Sequence, residues 1–497
     1  MRSLNKKLVF LFLLFIMCTI FQTQIFSSEQ EEKNIKILEN FWPSHSDIDP
    51  IILKTAGDWN FLQLIYSTLV EMGSSNTVRP AMAEKLEQNI DGTKWVFYLR
   101  KNLKWSDGTK IESHQVMESI QRALQGTTHT QLSNYVESIE TNKEHQIIFK
   151  MKKTPDNFLN TIAFIDLAIV HPESYKNKTF TWKTPLSGAF TIQSLEKQKI
   201  VLIENPYFWD TSTNRIKTAT LIKSNVSSKD MELLLKEDFD AVQLSPGFIS
   251  IQEDLLKLQK KYTLFSGNTD FLFCLTFSRK RIKDKTLDLS IRRFLYFMIY
   301  QEFWREQKNS SFRATGLRPP GSMGALSQQE FDKVFLNLKQ AKAKIKKIDL
   351  LMSKKFRNRS VVVKLIKTLS GLDFKINEIT VPSEKYTAIE NSGEYDIAVN
   401  FLGASESDPD TAWRIYNGSY FPDSAITQED LNKAQLESNK EIRLNMYKNL
   451  EIRSIEQAFF IPLKNEVTYI LTSKKVKLDT FLATDWGLQL HKLKYNK

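Results

Sequence analysis

Reactive side chains are scattered along this 497-residue sequence and are not gathered into catalytic patterns. The histidines stand at 45, 114, 129, 145, 171 and 491, and no pair has the spacing of metal ligands. The sequence holds no nucleophile elbow, phosphate loop, zinc helix motif or dinucleotide fingerprint. Hydroxyls and carboxylates concentrate in Ser405-Glu406-Ser407-Asp408-Pro409-Asp410, where Asp408 is the residue type that caps a turn before proline. Trp413 and Arg414 follow, and a guanidinium suits the pairing of a carboxylate. No residue is nominated as nucleophile with a base beside it. The expected chemistry is therefore binding, not catalysis, with no cofactor and no metal.

The elements that position these residues begin after an N-terminal targeting segment. Arg2, Lys6 and Lys7 precede an apolar run from Leu8 to Ile20, then polar Gln22-Thr23-Gln24 and the small pair Ser27-Ser28. That order is a secretory signal, and the run is short for a membrane span. The remainder is expected to be soluble outside the cytoplasm, in the periplasm. Of two cysteines, Cys18 lies in this segment, so Cys274 is left without an internal disulfide partner. Cys18 is also a candidate lipid-attachment site, although bulky Phe15-Ile16-Met17 precedes it. The formal charge is +12, and removal of Arg2, Lys6 and Lys7 leaves +9. The lysines are spread along the chain, which reads as a solvated surface and not a nucleic-acid groove. Hydrophobic residues at 41% and charged residues at 25% are ordinary for a globular protein, and the length asks for two or three domains.

Periodicity gives a coarse map. Ile35 to Leu38 reads as a first strand, and Phe61 to Val70 has helical spacing. Arg79 to Leu86 reads as a connection with a short helix. Asp91-Gly92 marks a hairpin turn before the alternating Trp95, Phe97 and Leu99. A second strand is expected at Leu103-Lys104-Trp105, ended by Ser106-Asp107-Gly108, with Ser113 capping a helix that repeats Val116, Ile120 and Leu124. Strands follow at Ala189–Ile192, Ile200–Ile203 and around Thr269–Thr276. Ile291–Trp304 reads as a buried helix and Tyr395–Leu402 as a buried strand; helical spacing returns from Asp430 to Ile455. The class is mixed α/β.

Five segments, in order, resemble the periplasmic oligopeptide- and dipeptide-binding proteins of ABC transporters, solute-binding protein family 5. They are Trp95 to Val116, Pro185 to Trp209, Ile291-Arg292-Arg293, Glu394 to Ile397 with Asp408-Pro409, and Phe459 to Leu463. The resemblance implies a two-lobed periplasmic-binding-protein fold of the cluster C type, with an extra domain inserted in the first lobe. The implied plan is a signal at 1–28, first lobe at 29–70, inserted domain at 71–180, first lobe again at 181–268, second lobe at 269–474, and a first-lobe tail at 475–497. Crossings between lobes are expected near 266–272 and 470–478.

The resemblance also implies a monomeric receptor that closes on a peptide and hands it to an inner-membrane permease. In that family an acid pairs with the ligand's amino terminus four residues before the proline. Here that position is Ser405, and Leu402 stands where an aromatic is expected. Glu406 and Asp408 are the neighbouring candidates for the charge. Ala56, Gly57 and Asp58 lie where the family brings backbone to the ligand, and Phe271 and Phe273 lie at the expected crossing. The changed residue at 405 keeps other ligands open, among them a murein peptide, a metal chelate or a sugar. A peptide-binding chaperone or adhesin without a transporter also stays open.

Overall fold

The computed structural model describes residues 34–39, 42–43, 48–52, 56–73, 77–126, 132–142, 145–211, 216–224, 233–236, 238–244, 252–306, 313–319, 322–339, 345–372, 374–403, 409–420, 426–478 and 493–495. Its first half is organised by β1 (Asn34–Glu39), with two further sheet regions inserted before β1 gains its neighbours. The inserted unit contains β2 (Ala83–Gln88), β3 (Lys94–Leu99), β4 (Val136–Thr141) and β5 (Gln146–Met151), paired in the order β2-β3-β5-β4. Trp95, Phe97 and Leu99 face its core and alternate with less buried Val96 and Tyr98, as the two-residue period of a strand requires.

The Asp91-Gly92 turn joins β2 to β3, with Gly92 at φ +73°, a conformation open to glycine. β2 was expected as a connection with a short helix. Its outward residues are Glu84, Lys85, Glu87 and Gln88, so an exposed edge strand carries too little apolar alternation to announce itself. The segment Leu103–Trp105 likewise makes a tight turn closed by a Lys104–Lys110 bridge, not a full strand. Ser113 opens the expected helix, which runs to Gly126 and buries Val116, Ile120 and Leu124.

The main sheet has ten strands. Besides β1 it contains β6 (Phe190–Leu195), β7 (Lys199–Glu204), β8 (Thr218–Lys223), β9 (Ala241–Leu244) and β10 (Thr263–Phe277). It is completed by β11 (Lys347–Ser353), β12 (Lys375–Val381), β13 (Ile397–Leu402) and β14 (Phe460–Thr472). The order is β12-β11-β13-β10-β14-β9-β1-β8-β7-β6. The strands β10 and β14 are longer than their neighbours and antiparallel to each other. At its far end β10 pairs with β13 through residues 272–277, and at the other end β14 pairs with β9 through residues 469–472. Between them, register shifts interrupt the ladder at Asn268/Leu272. This sheet is therefore two half-sheets joined by one antiparallel pair.

Each half has its own core. In the first, β1, β6, β7 and β8 close over the helix Ala56–Ile65. A side chain at Gly188 would collide with the backbone of Ile65 and Tyr66, so glycine is required where that helix ends against the sheet. In the second, α1 (Leu289–Phe303), α2 (Gln328–Leu338) and α3 (Ser360–Ser370) cover one sheet face. On the other face α4 (Pro409–Tyr420), α5 (Gln428–Gln435) and α6 (Lys440–Glu456) enclose a separate core around Trp413 and Tyr447. Phe273, Leu275 and Phe277 enter the first of these cores, and Leu272 and Cys274 the second. A strand buried on both faces reads as an unbroken apolar run.

Glu451, fully buried on α6, holds the turn that precedes α2. Its two oxygens accept from the backbone N–H groups of Leu317 at 2.9 Å and Arg318 at 3.1 Å. Burial pushes its carboxyl up to about 7, against the pull of those donors and of the Arg318 charge. Because the folded pKa is raised, the folded state binds a proton that the unfolded state releases. This group's favourable term is full below the ordinary carboxyl value of 4.5 and is lost as pH rises through about 7. The Glu451→Gln variant is therefore expected to lose less stability than the parent between pH 5 and pH 8 in urea unfolding. Parallel pH profiles would show that Glu451 does not titrate in this window.

Candidate functional site

The second lobe presents a graded wall beside the crossing strands. Phe273 lies in the core at 0% exposure, and its ring meets that of Phe401 at 5.0 Å between centroids. Phe401 in turn meets Phe356 at 4.7 Å. The Arg359 guanidinium caps both rings, 4.5 Å from the centroid of Phe401 and 4.6 Å from that of Phe356. A planar cation over two aromatic faces is held without being discharged. Burial lowers the Arg359 pKa, and the carboxylate of Glu466 opposes that shift.

Glu466 itself is buried on β14, in the neck between the half-sheets, with Lys464 Nζ 3.5 Å from its carboxylate. Phe356 and Arg359 sit where β11 hands over to α3, with Lys355 just ahead. Lys355 is exposed to water, yet the surrounding protein holds its ammonium below the usual lysine range, with smaller contributions from the charges of Arg359 and Lys223. Lys223 belongs to the other lobe, at the end of β8, with its ammonium 5.9 Å from the ring centroid of Trp42.

A second set of contacts ties the inserted unit to the second lobe. Tyr135 Oη donates to Gln435 Oε1 at 2.9 Å, and Gln435 Nε2 donates to Asn157 Oδ1 at 3.4 Å. Arg443, only 1% exposed, pairs with Asp156. Gln435 also accepts from Arg414 at 2.9 Å, while Arg414 Nε donates to Asp410 at 2.6 Å. Asp410 is raised by burial, with Arg414 pulling it back.

The expected site residues are dispersed among these features. Ala56 opens the helix Ala56–Ile65, and Gly57 and Asp58 are buried in its first turn. Phe271 lies half-buried on β10 and Phe273 in the core beneath Phe401. Leu402 and Trp413 share the core on the opposite sheet face. Arg414 is engaged with Asp410 and Gln435, at the contact between the inserted unit and the second lobe. Ser405, Glu406 and Asp408 lie outside the described residues. Lys223, Lys355, Phe356, Arg359 and Glu466 were not singled out by sequence reasoning. They are separated by up to 243 positions and have no shared spacing to reveal them.

Two half-sheets on an antiparallel pair of crossing strands, with an inserted domain on the first, define the two-lobed periplasmic-binding-protein fold. The sequence profile of the bacterial extracellular solute-binding proteins, family 5 (middle), matches residues 77–422, and the chain belongs to that family. A probable D,D-dipeptide-binding periplasmic protein of Escherichia coli is 25% identical over 213 residues, 40% of this chain and 41% of that one. The periplasmic oligopeptide-binding protein of Salmonella typhimurium is 24% identical over 221 residues, 39% of this chain and 40% of that one. The chain thus spans about two-fifths of the length of these curated relatives.

Among solved structures, the murein tripeptide binding protein MppA of Escherichia coli superposes with a TM-score of 0.76 at 17% identity, covering 93% of this chain and 98% of that one. NikA of Brucella suis in complex with Fe(III)-EDTA has the same TM-score at 18% identity, covering 93% and 100%. These likenesses concern the fold.

If the Asp156–Arg443 contact helps hold the lobes together, Asp156→Ala should cost about 1–2 kcal/mol of stability, since it removes a carboxylate from a buried guanidinium. Small-angle scattering should then show a larger radius of gyration than the parent. Unchanged melting and scattering would reduce the contact to a passive one.

Proposed function

We propose that this protein is an extracytoplasmic receptor that captures a peptide or peptide-like ligand between its lobes and delivers it to a membrane permease. The observation that carries this reading is the pair β10 and β14, the described connection through which the half-sheets share their hydrogen bonds. Such a joint lets two preformed walls approach without unfolding either, so a ligand that touches both walls selects the closed state. Family membership supports the receptor role, and relatives named for dipeptides, oligopeptides and murein peptides support the ligand class. Among the described residues no helix is long and apolar enough to cross a membrane. The chain acts as a monomer that returns its ligand unaltered, without cofactor or nucleic acid.

A non-peptide ligand in the same fold is the second reading. It is favoured by Ser405 at the position where an acid is expected, and by structural neighbours crystallised with Fe(III)-EDTA and agropinic acid.

A ligand bound only by the folded state raises stability by about 2.7 kcal/mol at a hundred times its dissociation constant. Short peptides and muropeptides are therefore expected to raise the melting temperature and to shrink the scattering radius together. A screen in which no peptide does either, with a non-peptide found after mass spectrometry of co-purified material, would transfer the site to the second reading. Glu406→Gln or Asp408→Asn is expected to weaken peptide binding by about 1–3 kcal/mol by titration calorimetry if that carboxylate holds the ligand's amine. Unaltered affinity in both variants would remove them from the site.

A further inference from the structure

The surplus of positive charge is less evenly spread than the lysines themselves. Between Lys339 and Lys375 stand twelve basic residues against two acids, Asp349 and Asp373, in a chain whose whole surplus is +12. This stretch forms β11, α3 and β12 of the second lobe, with the approach from α2. β11 and β12 are parallel, so α3 between them runs back across the sheet and ends where both strands begin. Lys347 and Lys375 are register neighbours at that end, and the Lys375 N–H donates to the Lys346 carbonyl at 3.0 Å. Lys367 lies in the last turn of α3, and Lys339 closes α2. All five lysines are exposed. They gather at the end of the lobe opposite the turn that carries Phe356 and Arg359.

The described acids at this end already hold cations of their own. Asp349 pairs with Lys347 at 2.9 Å, Asp396 lies 3.7 Å from Arg281, and Glu394 pairs with Lys280. Asp373, like Lys342 and Lys344, lies outside the described residues. Among the described residues, Lys346, Lys367 and Lys375 have no ion-pair partner. Two aliphatic side chains accompany the charges. Leu336 is 60% exposed, three positions before Lys339, and Val363 is 49% exposed, four positions before Lys367. Those spacings put each aliphatic group and its lysine on one helix face. Such a surface can lay its aliphatic groups in a headgroup layer while the ammonium groups reach phosphates. Lysines on flexible stems suit a diffuse sheet of phosphates, whereas a shaped anion pocket calls for arginine forks.

We propose that this end of the second lobe docks on a membrane surface rich in acidic phospholipids. The inference is independent of what the gap between the lobes binds. Docking of this kind weakens as salt screens the charges.

The test is co-sedimentation of the full chain, without its N-terminal targeting segment, with lipid vesicles. Vesicles of phosphatidylcholine alone are compared with vesicles of phosphatidylcholine and phosphatidylglycerol in equal parts, at low and high salt. The parent is set against Lys346→Gln/Lys367→Gln/Lys375→Gln. The control, Lys101→Gln/Lys153→Gln/Lys197→Gln, removes the same charge from exposed sites outside the second lobe. The expected result is salt-sensitive binding to the acidic vesicles only. The first triple variant should bind about a hundredfold more weakly, at about fivefold per lysine, and the control should stay within a few-fold of the parent. Both variants should melt with the parent, because the substituted side chains are exposed. A ligand of the gap should shift the melting temperature of the first variant as it does that of the parent, which separates failure here from failure of the receptor reading. Equal losses in the two variants, binding indifferent to lipid charge, or no binding by the folded parent overturns the inference. Binding of polyglutamate without binding of vesicles also overturns it and transfers the surface to an acidic protein.

Discussion

The backbone pairing of β10 with β14 carries two demands that pull against each other. Both strands must be continuous enough to hold two cores in one molecule, yet the ladder must be weak where the halves meet. The structure meets them with a long antiparallel pair whose register slips at Asn268/Leu272. On the second-lobe side β10 is buried on both faces and bonded to β13; on the first-lobe side β14 is bonded to β9. The ladder is thus interrupted between the halves, while the flanking cores are each close-packed.

The walls of the gap inherit their character from those cores. Phe273 and Phe401 form a column from the interior outward, and Arg359 terminates it at the surface. Buried apolar packing thus fixes the position of a charge. The same logic holds at Glu451, where a fully buried carboxyl organises the turn at Leu317 and Arg318. Gly316 is required there because any side chain would enter the space of that carboxyl.

The contact between the inserted domain and the second lobe adds a restraint independent of the neck. Asp156, Asn157 and Tyr135 reach Arg443 and Gln435 across the boundary. The arginine is buried and its partner half-exposed, so the interaction is a specific, directional one rather than a broad apolar seal. A joint of this kind can release at modest cost.

Elements with strong local patterns were legible in the sequence. The buried helix expected at Ile291–Trp304 forms as Leu289–Phe303, and the strand with Trp95, Phe97 and Leu99 forms as β3. Asp91-Gly92 makes the turn its residue types require. The helical spacing from Asp430 to Ile455 forms two helices, parted between Gln435 and Lys440, where Asn439 caps a new start. β2 stayed hidden because an exposed edge strand buries too little to impose alternation.

The five ordered segments fixed the family and with it the two-lobed plan. What the linear order left undetermined is which charges meet. Lys223, Lys355, Arg359 and Glu466 come from three separate stretches, β8, the turn between β11 and α3, and β14, and each alone resembles an ordinary surface or neck residue. Only folding brings Phe273, Phe356, Arg359 and Phe401 together, because proximity between elements distant in the chain is set by long-range packing and leaves no periodic trace along it.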